Sequence, residues 1–488
     1  MSNETKFDWE NKTWDVIDSH FKDKAVLIKH QIDSFNHFIS NDIPLVLKEH
    51  NPIIVYGPNM QYHISFKQYY MSKPIINEND GSVSPMYPNI ARLRSLTYAS
   101  NLYVDIEQKI IKYGSDGKVT EQIQLETLEK FNIGKLPIMI GSDLCILNEQ
   151  VGRTRAEMGE CEYDYGGYFI INGSEKVIIS QEKKCENKVY VFEPSKVLTK
   201  YSHTAEITSS VHDKPSIIEV IQLKLKDKDD VFSGKTIKFN WASRKLKQDI
   251  PLFILFRALG IISDKEIMEH ILLDIYDENN KDLVELLKPS VEEASPIQTQ
   301  QMALEFISKY SYTNSYIKKV EIKPEEKLNN VYNLLIQRLF PHIGNSNIKK
   351  AFFLGYMTKK LLLKSSKVEP YDDRDSFINK RVETPGDLLK LIFKNKLNDM
   401  VKDLRRVLSN DFNGTKKIES PDIIGASLSK KIKAGTIEVG MKYALSTGTW
   451  GVKTQSDRKG VAQVLQRITY LGTISNLRRV VSPMTHRV

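Results

Sequence analysis

Apolar positions along this 488-residue chain follow two periods. Near the N-terminus, Ala25 to Phe38 reads as a helix that begins after a charged stretch. From about Ile53 to Ile111 short apolar runs alternate with Pro and Gly, the pattern of short strands. Ser115-Asp116-Gly117-Lys118 separates two such runs and reads as a hairpin turn, because Asp-Gly accepts positive φ cheaply. The clearest local signal is Tyr168 to Ile179, where two β-rich runs flank Asn172-Gly173. Gly166-Gly167 lets the chain turn sharply into that hairpin. Ile221, Leu223 and Leu225 alternate with polar residues, as in a half-buried strand, and Ile237 and Phe239 continue the pattern.

After Pro251 the period becomes helical. Leu252 to Leu259 stops at Gly260, and Asp264 is expected to cap a second helix through Ile271. Asp274 to Asp282 reads as a polar loop. Pro324 to Phe340 and Ile348 to Leu363 are further helices. Asp387 to Leu408 carries Leu389, Phe393, Leu397, Val401, Leu404 and Leu408 at three- and four-residue spacing, with lysines and arginines off that stripe. Such a stripe is a core-packing face. The order of elements, mixed β/α, then β followed by α, then a long helix, then a tail, predicts an α+β protein of several modules.

Composition adds little to this picture. Apolar residues are 41% and charged residues 27%, ordinary globular usage. The net charge of +9 admits a polyanionic partner without requiring one. Cys145, Cys161 and Cys185 fit no zinc spacing and read as reduced thiols. The first 24 residues lack the apolar core of a signal peptide, and no run of ~18 apolar residues occurs.

No self-contained active site is legible. The sequence has no phosphate-binding Gly-rich loop, dinucleotide fingerprint, His-Glu-x-x-His or nucleophile elbow. Asp372-Asp373-Arg374-Asp375 is the densest acidic cluster. It would suit a divalent cation in a hydrolase, but the interleaved Arg374 and nearby Lys380 and Arg381 favour an ion-pair network. From Lys431 onward the chain is rich in Lys and Arg, and Glu438 and Asp457 are the only acids there. Those cations suit phosphate contacts. Charge alone leaves a solvated basic face, or a face for an acidic partner subunit, equally open.

Several segments, in order along the chain, resemble the second-largest subunit of multisubunit DNA-directed RNA polymerases: His30–Asn36, Tyr87–Tyr98, Gly134–Met139, Gly166–Lys176, Phe256–Gly260, Lys350–Met357, Asp372–Asp375, Lys442–Gly451, and Gly460–Arg467 leading to Leu477-Arg478-Arg479. The resemblance implies a protrusion built from about 20–200 and 382–434, a lobe at 201–381, and the beginning of a fork at 435–488. It implies one jaw of the DNA cleft, with the fork against the RNA–DNA hybrid. Nucleotidyl transfer would belong to the assembled polymerase, and the chain alone would be inactive.

It also implies no cofactor in this chain. Catalytic Mg2+ would be held mainly by the largest subunit. Partners would be that subunit, the other polymerase subunits, the DNA template and the hybrid, with no membrane. The expected location is intracellular: nucleus or cytoplasm, or the viral factory and virion if the source is a large DNA virus, which the abundance of Lys, Asn and Ile fits. The sequence stops inside the fork region, as in a fragment, a split-gene product or an intein-interrupted subunit.

The nucleic-acid-binding residues expected on this basis are Lys453, Arg458, Lys459, Gln463, Arg467, Arg478 and Arg479. Gln463 and Arg467, four apart, would share one face of a helix, with Val464 and Leu465 turned to the core. The competing reading for the Arg478-Arg479 pair is that one of them, Arg479 first, instead pins the fork to a neighbouring acidic residue. A free-standing basic nucleic-acid-binding protein derived from this scaffold is the alternative reading.

Overall fold

A computed structural model describes residues 9–57, 60–114, 119–148, 154–193, 200–211, 214–226, 234–242, 246–311, 324–413, 428–451 and 458–482. The described parts form two compact units, one of residues 1–183 with 382–484, the other of residues 184–381. The division falls at Lys184, upstream of the lobe start at 201 expected from the resemblance.

The first unit is built on a five-stranded antiparallel sheet. Met60–Met71 and Ala99–Tyr113 form its centre, and they are long rather than the short strands the Pro and Gly punctuation suggests. In Ala99–Tyr113 the alternate residues Leu102, Val104, Ile106 and Ile110 are buried, the period of a pleated strand with one covered face. Val119–Gln124 pairs with the end of that strand, so the two runs flanking residues 115–118 are antiparallel neighbours, while the turn itself lies outside the described residues. Leu128–Pro137 pairs with the start of the same strand.

The helix expected from Ala25 is interrupted, running as a 3-10 turn, Lys24–Ile28, then an α-helix, Lys29–His37, then a π-turn, Phe38–Asp42. The amphipathic helix extends over Pro385–Asn413, and all six stripe residues from Leu389 to Leu408 are buried. Phe393 meets Phe38 edge-on at 6.1 Å, Lys390 binds the buried Asp42 at 2.7 Å, and the buried Trp450 indole donates to the Leu388 carbonyl at 2.8 Å.

The second unit is a five-stranded antiparallel meander with helices packed on it. Ile221, Leu223 and Leu225 of strand Lys214–Lys226 and Ile237 and Phe239 of Thr236–Trp241 are all buried. Helix Leu252–Leu259 is buried at every residue, so it forms the centre of the helical layer. Its Arg257 is accommodated because the guanidinium donates to the carbonyls of Ala294 and Ile297 and to the Asp264 carboxylate. Asp264 is therefore not the cap of the next helix. Ser263 holds the cap position, and Asp264 is the first helical residue, used as the counter-ion of a buried cation. The polar stretch from Asp274 is also shorter as a loop than expected, because Glu278–Asn280 is a 3-10 turn and the next helix starts at Lys281.

Candidate nucleic-acid interface

The basic tail acquires its shape from strands almost 300 residues upstream. Phe169–Ile171 and Ser174–Ile178 form the hairpin expected from Asn172-Gly173, and both turn residues have positive φ, 50° and 77°. Ala462–Val464 adds to this hairpin as a third, antiparallel strand, with Gln463 opposite Val177. Val480 and Val481 then run parallel to Ser180 and Gln181. Between them, helix Tyr470–Leu477 starts at Thr469, whose hydroxyl accepts the Gly472 N–H at 3.0 Å.

The end of that helix is tied to the first helix of the core. The buried Gln31 amide donates to the carbonyls of Leu477 (2.8 Å) and Ile178 (3.3 Å). His30 lies 3.3 Å from the same Leu477 carbonyl. Burial pulls the His30 pKa below its ordinary value against the raising effect of that carbonyl, and the Arg478 charge adds to the lowering. His30-Gln31 thus acts as a clamp on the tail, a role nothing in its local sequence signals.

The expected binding residues then separate by how their charge is used. Lys453 lies outside the described residues. Arg458 is ion-paired to Glu383, and its backbone forms a bridge with Trp450. Gln463 sits in a strand, and its side chain donates to Gly460 O at 3.1 Å. The helix expectation for Gln463 and Arg467 is wrong: strand pairing with Ser174–Ile178 sets this segment, and Arg467 follows in irregular chain. Leu465 is buried as expected, but Val464 is 57% exposed.

Arg467 is the most heavily engaged. Its Nε and Nη2 grip Glu175 at 2.7 and 3.0 Å, and Nη2 also reaches Asp164 at 2.7 Å. Its guanidinium lies 5.0 Å from the centre of the Tyr168 ring. Arg92 completes the network with Glu160, Glu175 and the Tyr168 hydroxyl at 2.7, 2.8 and 2.6 Å, and that hydroxyl donates to Asp164 at 2.8 Å. Burial works against both guanidinium charges, but the carboxylates outweigh it and hold both pKa values above the ordinary arginine value. Two guanidiniums face three carboxylates here, so Arg467 brings no surplus positive charge to a ligand.

Arg478 donates one nitrogen to the Leu27 carbonyl at 2.6 Å and is otherwise exposed. The acid-paired arginines are therefore Arg458 and Arg467, not the Arg478-Arg479 pair. Lys459 and Arg479 are exposed, and among the described residues their side chains have no hydrogen-bond or ion-pair partner. Among the described residues of the expected set, these two, with the outer edge of Arg478, carry charge that no carboxylate neutralises. Beside them the tail exposes Ile468, Leu471 and Tyr470, apolar groups the sequence reading did not single out.

The acidic cluster sits in the second unit as an ion-pair network. Asp372 lies 3.0 Å from Lys364 and 3.2 Å from Lys360, and accepts the Val191 N–H at 2.8 Å. Burial pushes its carboxyl up, but the Val191 N–H and the two ammoniums outweigh it and hold it below the usual range. Asp373 accepts the Asp375 N–H, and the Arg374 guanidinium lies 4.1 Å from the centre of the Phe192 ring. Among the described residues no three His, Cys, Asp or Glu side chains converge to hold a metal ion.

Residues 26–438 match the family model described as RNA polymerase beta subunit. The chain belongs to that family. It is 38% identical to DNA-directed RNA polymerase II subunit 2 of Arabidopsis thaliana over 97% of the chain and 40% of the relative. It is 36% identical to DNA-directed RNA polymerase II subunit RPB2 of Schizosaccharomyces pombe, covering 96% of the chain and 39% of the relative. With DNA-directed RNA polymerase subunit Rpo2N of Methanococcus vannielii the identity is 32%, over 96% of the chain and 86% of the relative. The chain thus spans about two fifths of these two eukaryotic relatives and most of the Methanococcus vannielii subunit. No helix among the described residues is long and apolar enough to cross a membrane.

Proposed function

We propose that the chain serves DNA-directed transcription as the N-terminal part of a second-largest polymerase subunit, forming one jaw of the DNA cleft and touching the RNA–DNA hybrid with residues 458–482. The observation that carries this reading is a family match over most of the chain combined with a tail whose Lys459 and Arg479 are left unneutralised while their neighbours are locked to carboxylates. In family terms, 20–200 with 382–434 is the protrusion, 201–381 the lobe and 435–488 the fork. Its partners are the largest subunit, the remaining polymerase subunits, the template and the hybrid, in whichever intracellular compartment the polymerase works.

Nucleotidyl transfer needs Mg2+, which stabilises the attacking and leaving oxygens. The described residues of this chain do not fit that ion, since no three metal-ligating side chains converge and Asp372 is neutralised by lysines. No chemical step is assigned to them. Their part is to hold nucleic acid through sequence-independent phosphate contacts.

The test is reconstitution with the remaining subunits of the same polymerase, followed by elongation-complex half-life against salt. Lys459→Ala and Arg479→Ala are each expected to shorten the half-life on every template and reduce the salt slope by roughly one. Failure to assemble with the largest subunit, or parental half-life and slope in both variants, overturns the reading.

A further inference from the structure

The first unit holds a cavity of about 320 Å³ that the reading above does not use. Its charged lining residues are Lys135 on strand Leu128–Pro137, and Glu438 and Lys442, one turn apart on helix Gly435–Thr447. Among the described residues neither ammonium has a hydrogen-bond or ion-pair partner, and the Glu438 carboxylate has none either. The wall also carries neutral donors. The Ser95 hydroxyl makes no hydrogen bond, and the amides of Asn101 and Asn172 use only their oxygens, which accept from Asn132 and Thr97. Two cations and several unused donors against one carboxylate make a concave surface that favours an anion.

The rest of the wall is mainly apolar, with Ile75, Met86 and Leu96 beside the polar Asn77 and Thr97. A free inorganic anion would leave that part in contact with water, so the matching ligand joins a phosphate to an apolar or planar body. The volume lies at the lower end of small-molecule pockets, ~300–1,000 Å³, and suits one nucleotide rather than a run of them. The rim is preformed. Ser95 is held at φ 54° between the Leu96 N–H to Ala91 O bond (2.8 Å) and the Gly173 N–H to Leu96 O bond (2.9 Å). Little ordering is needed before a ligand enters.

We infer that this cavity binds a phosphomonoester of mononucleotide size, with its phosphate on Lys135 and Lys442 and its body against Ile75, Met86 and Leu96. Glu438 accepts a hydroxyl or amine of the body and disfavours a second anionic group. A free nucleotide and the 5′-phosphorylated end of a strand present the same chemistry. The inference does not depend on the polymerase reading, because the cavity residues are distinct from Lys459, Arg478 and Arg479.

The experiment is titration calorimetry on the intact 488-residue chain with AMP, adenosine and a 5′-phosphorylated tetranucleotide. AMP is expected to bind at least tenfold more tightly than adenosine. Lys135→Gln and Lys442→Gln should each weaken AMP binding about tenfold, the usual loss for one charge-assisted hydrogen bond, without moving the thermal transition. Glu438→Gln should improve ADP relative to AMP. If the tetranucleotide alone binds and depends on both lysines, the ligand is a strand end and the site stands. Equal affinity for adenosine and AMP, parental affinity in both lysine variants, or no binding of any of the three ligands overturns it.

Discussion

At the scale of single residues, the tail shows why charge in a sequence is not charge available to a ligand. Arg467 and Arg479 read alike in the sequence, yet one is gripped by Glu175 and Asp164 while the other is free. Arg467→Ala removes the guanidinium shared by Glu175 and Asp164 and the cation over the Tyr168 ring, and leaves Arg92 to serve the network alone. It is expected to destabilise the first unit by roughly 1–2 kcal/mol, a partly buried pair discounted for exposure. Arg479→Ala should change stability by less than about 0.5 kcal/mol. The salt slope of nucleic-acid binding should respond in the opposite order, falling for Arg479→Ala and holding for Arg467→Ala. Urea denaturation and salt-dependent binding on the same two proteins check both halves. Equal slopes for the two variants would remove the distinction between locked and free arginines.

At the scale of elements, two features set by near neighbours are legible in the sequence. Asn172-Gly173 and the stripe from Leu389 to Leu408 are set by neighbours within a few residues, and the structure contains both. The four-residue spacing of Gln463 and Arg467 suggests a helix where the chain forms the strand Ala462–Val464, because its partner, Ser174–Ile178, lies almost 300 residues away and no local period reveals it. The pairing of Arg467 is equally invisible in the local sequence, since Glu175 and Asp164 are 292 and 303 residues distant. Asp264 looks like a cap from its own helix, whereas the buried Arg257 determines its use.

The dependence of the tail on the hairpin gives a second prediction. A Cβ at Gly173 would lie 2.9 Å from the Ser95 Cα and 3.0 Å from the Arg92 carbonyl, at φ 77°. Gly173→Ala is therefore expected to cost roughly 1–3 kcal/mol. Hydrogen exchange should speed up not only in Ser174–Ile178 but also at the paired amides of Ala462–Val464. Faster exchange confined to the hairpin would show that the tail strand is held by other means.

At the scale of the whole molecule, the described residues of the second unit all fall within 184–381, and the ends of that span decide whether it folds alone. Residues 189–191 belong to it physically. Val189 and Val191 are buried in its core, strand Tyr190–Val191 pairs with Tyr201–Val211, and the Val191 N–H binds Asp372. A fragment cut at 201 loses all of these. Burying two valines is worth roughly 3–6 kcal/mol as an upper bound, a large share of the stability of an ordinary domain. Residues 184–381 expressed alone should melt cooperatively, while residues 201–381 should melt many degrees lower or without a cooperative transition.

Acid should expose the Asp372 part of the difference. Its carboxyl is held below the ordinary range when folded, so its contribution is complete above the unfolded value of ~3.9 and is lost as pH falls through the lower folded value. In 184–381, stability should therefore fall below about pH 4, and Asp372→Asn should flatten that fall while lowering stability at pH 7. Calorimetry of both fragments and of the Asp372→Asn variant between pH 2.5 and 7 checks the sign at each step; these pH bounds bracket the ~3.9 reference. Equal melting of the two fragments would mean that the strand before 201 is a passive edge and that the unit begins where the family resemblance places it.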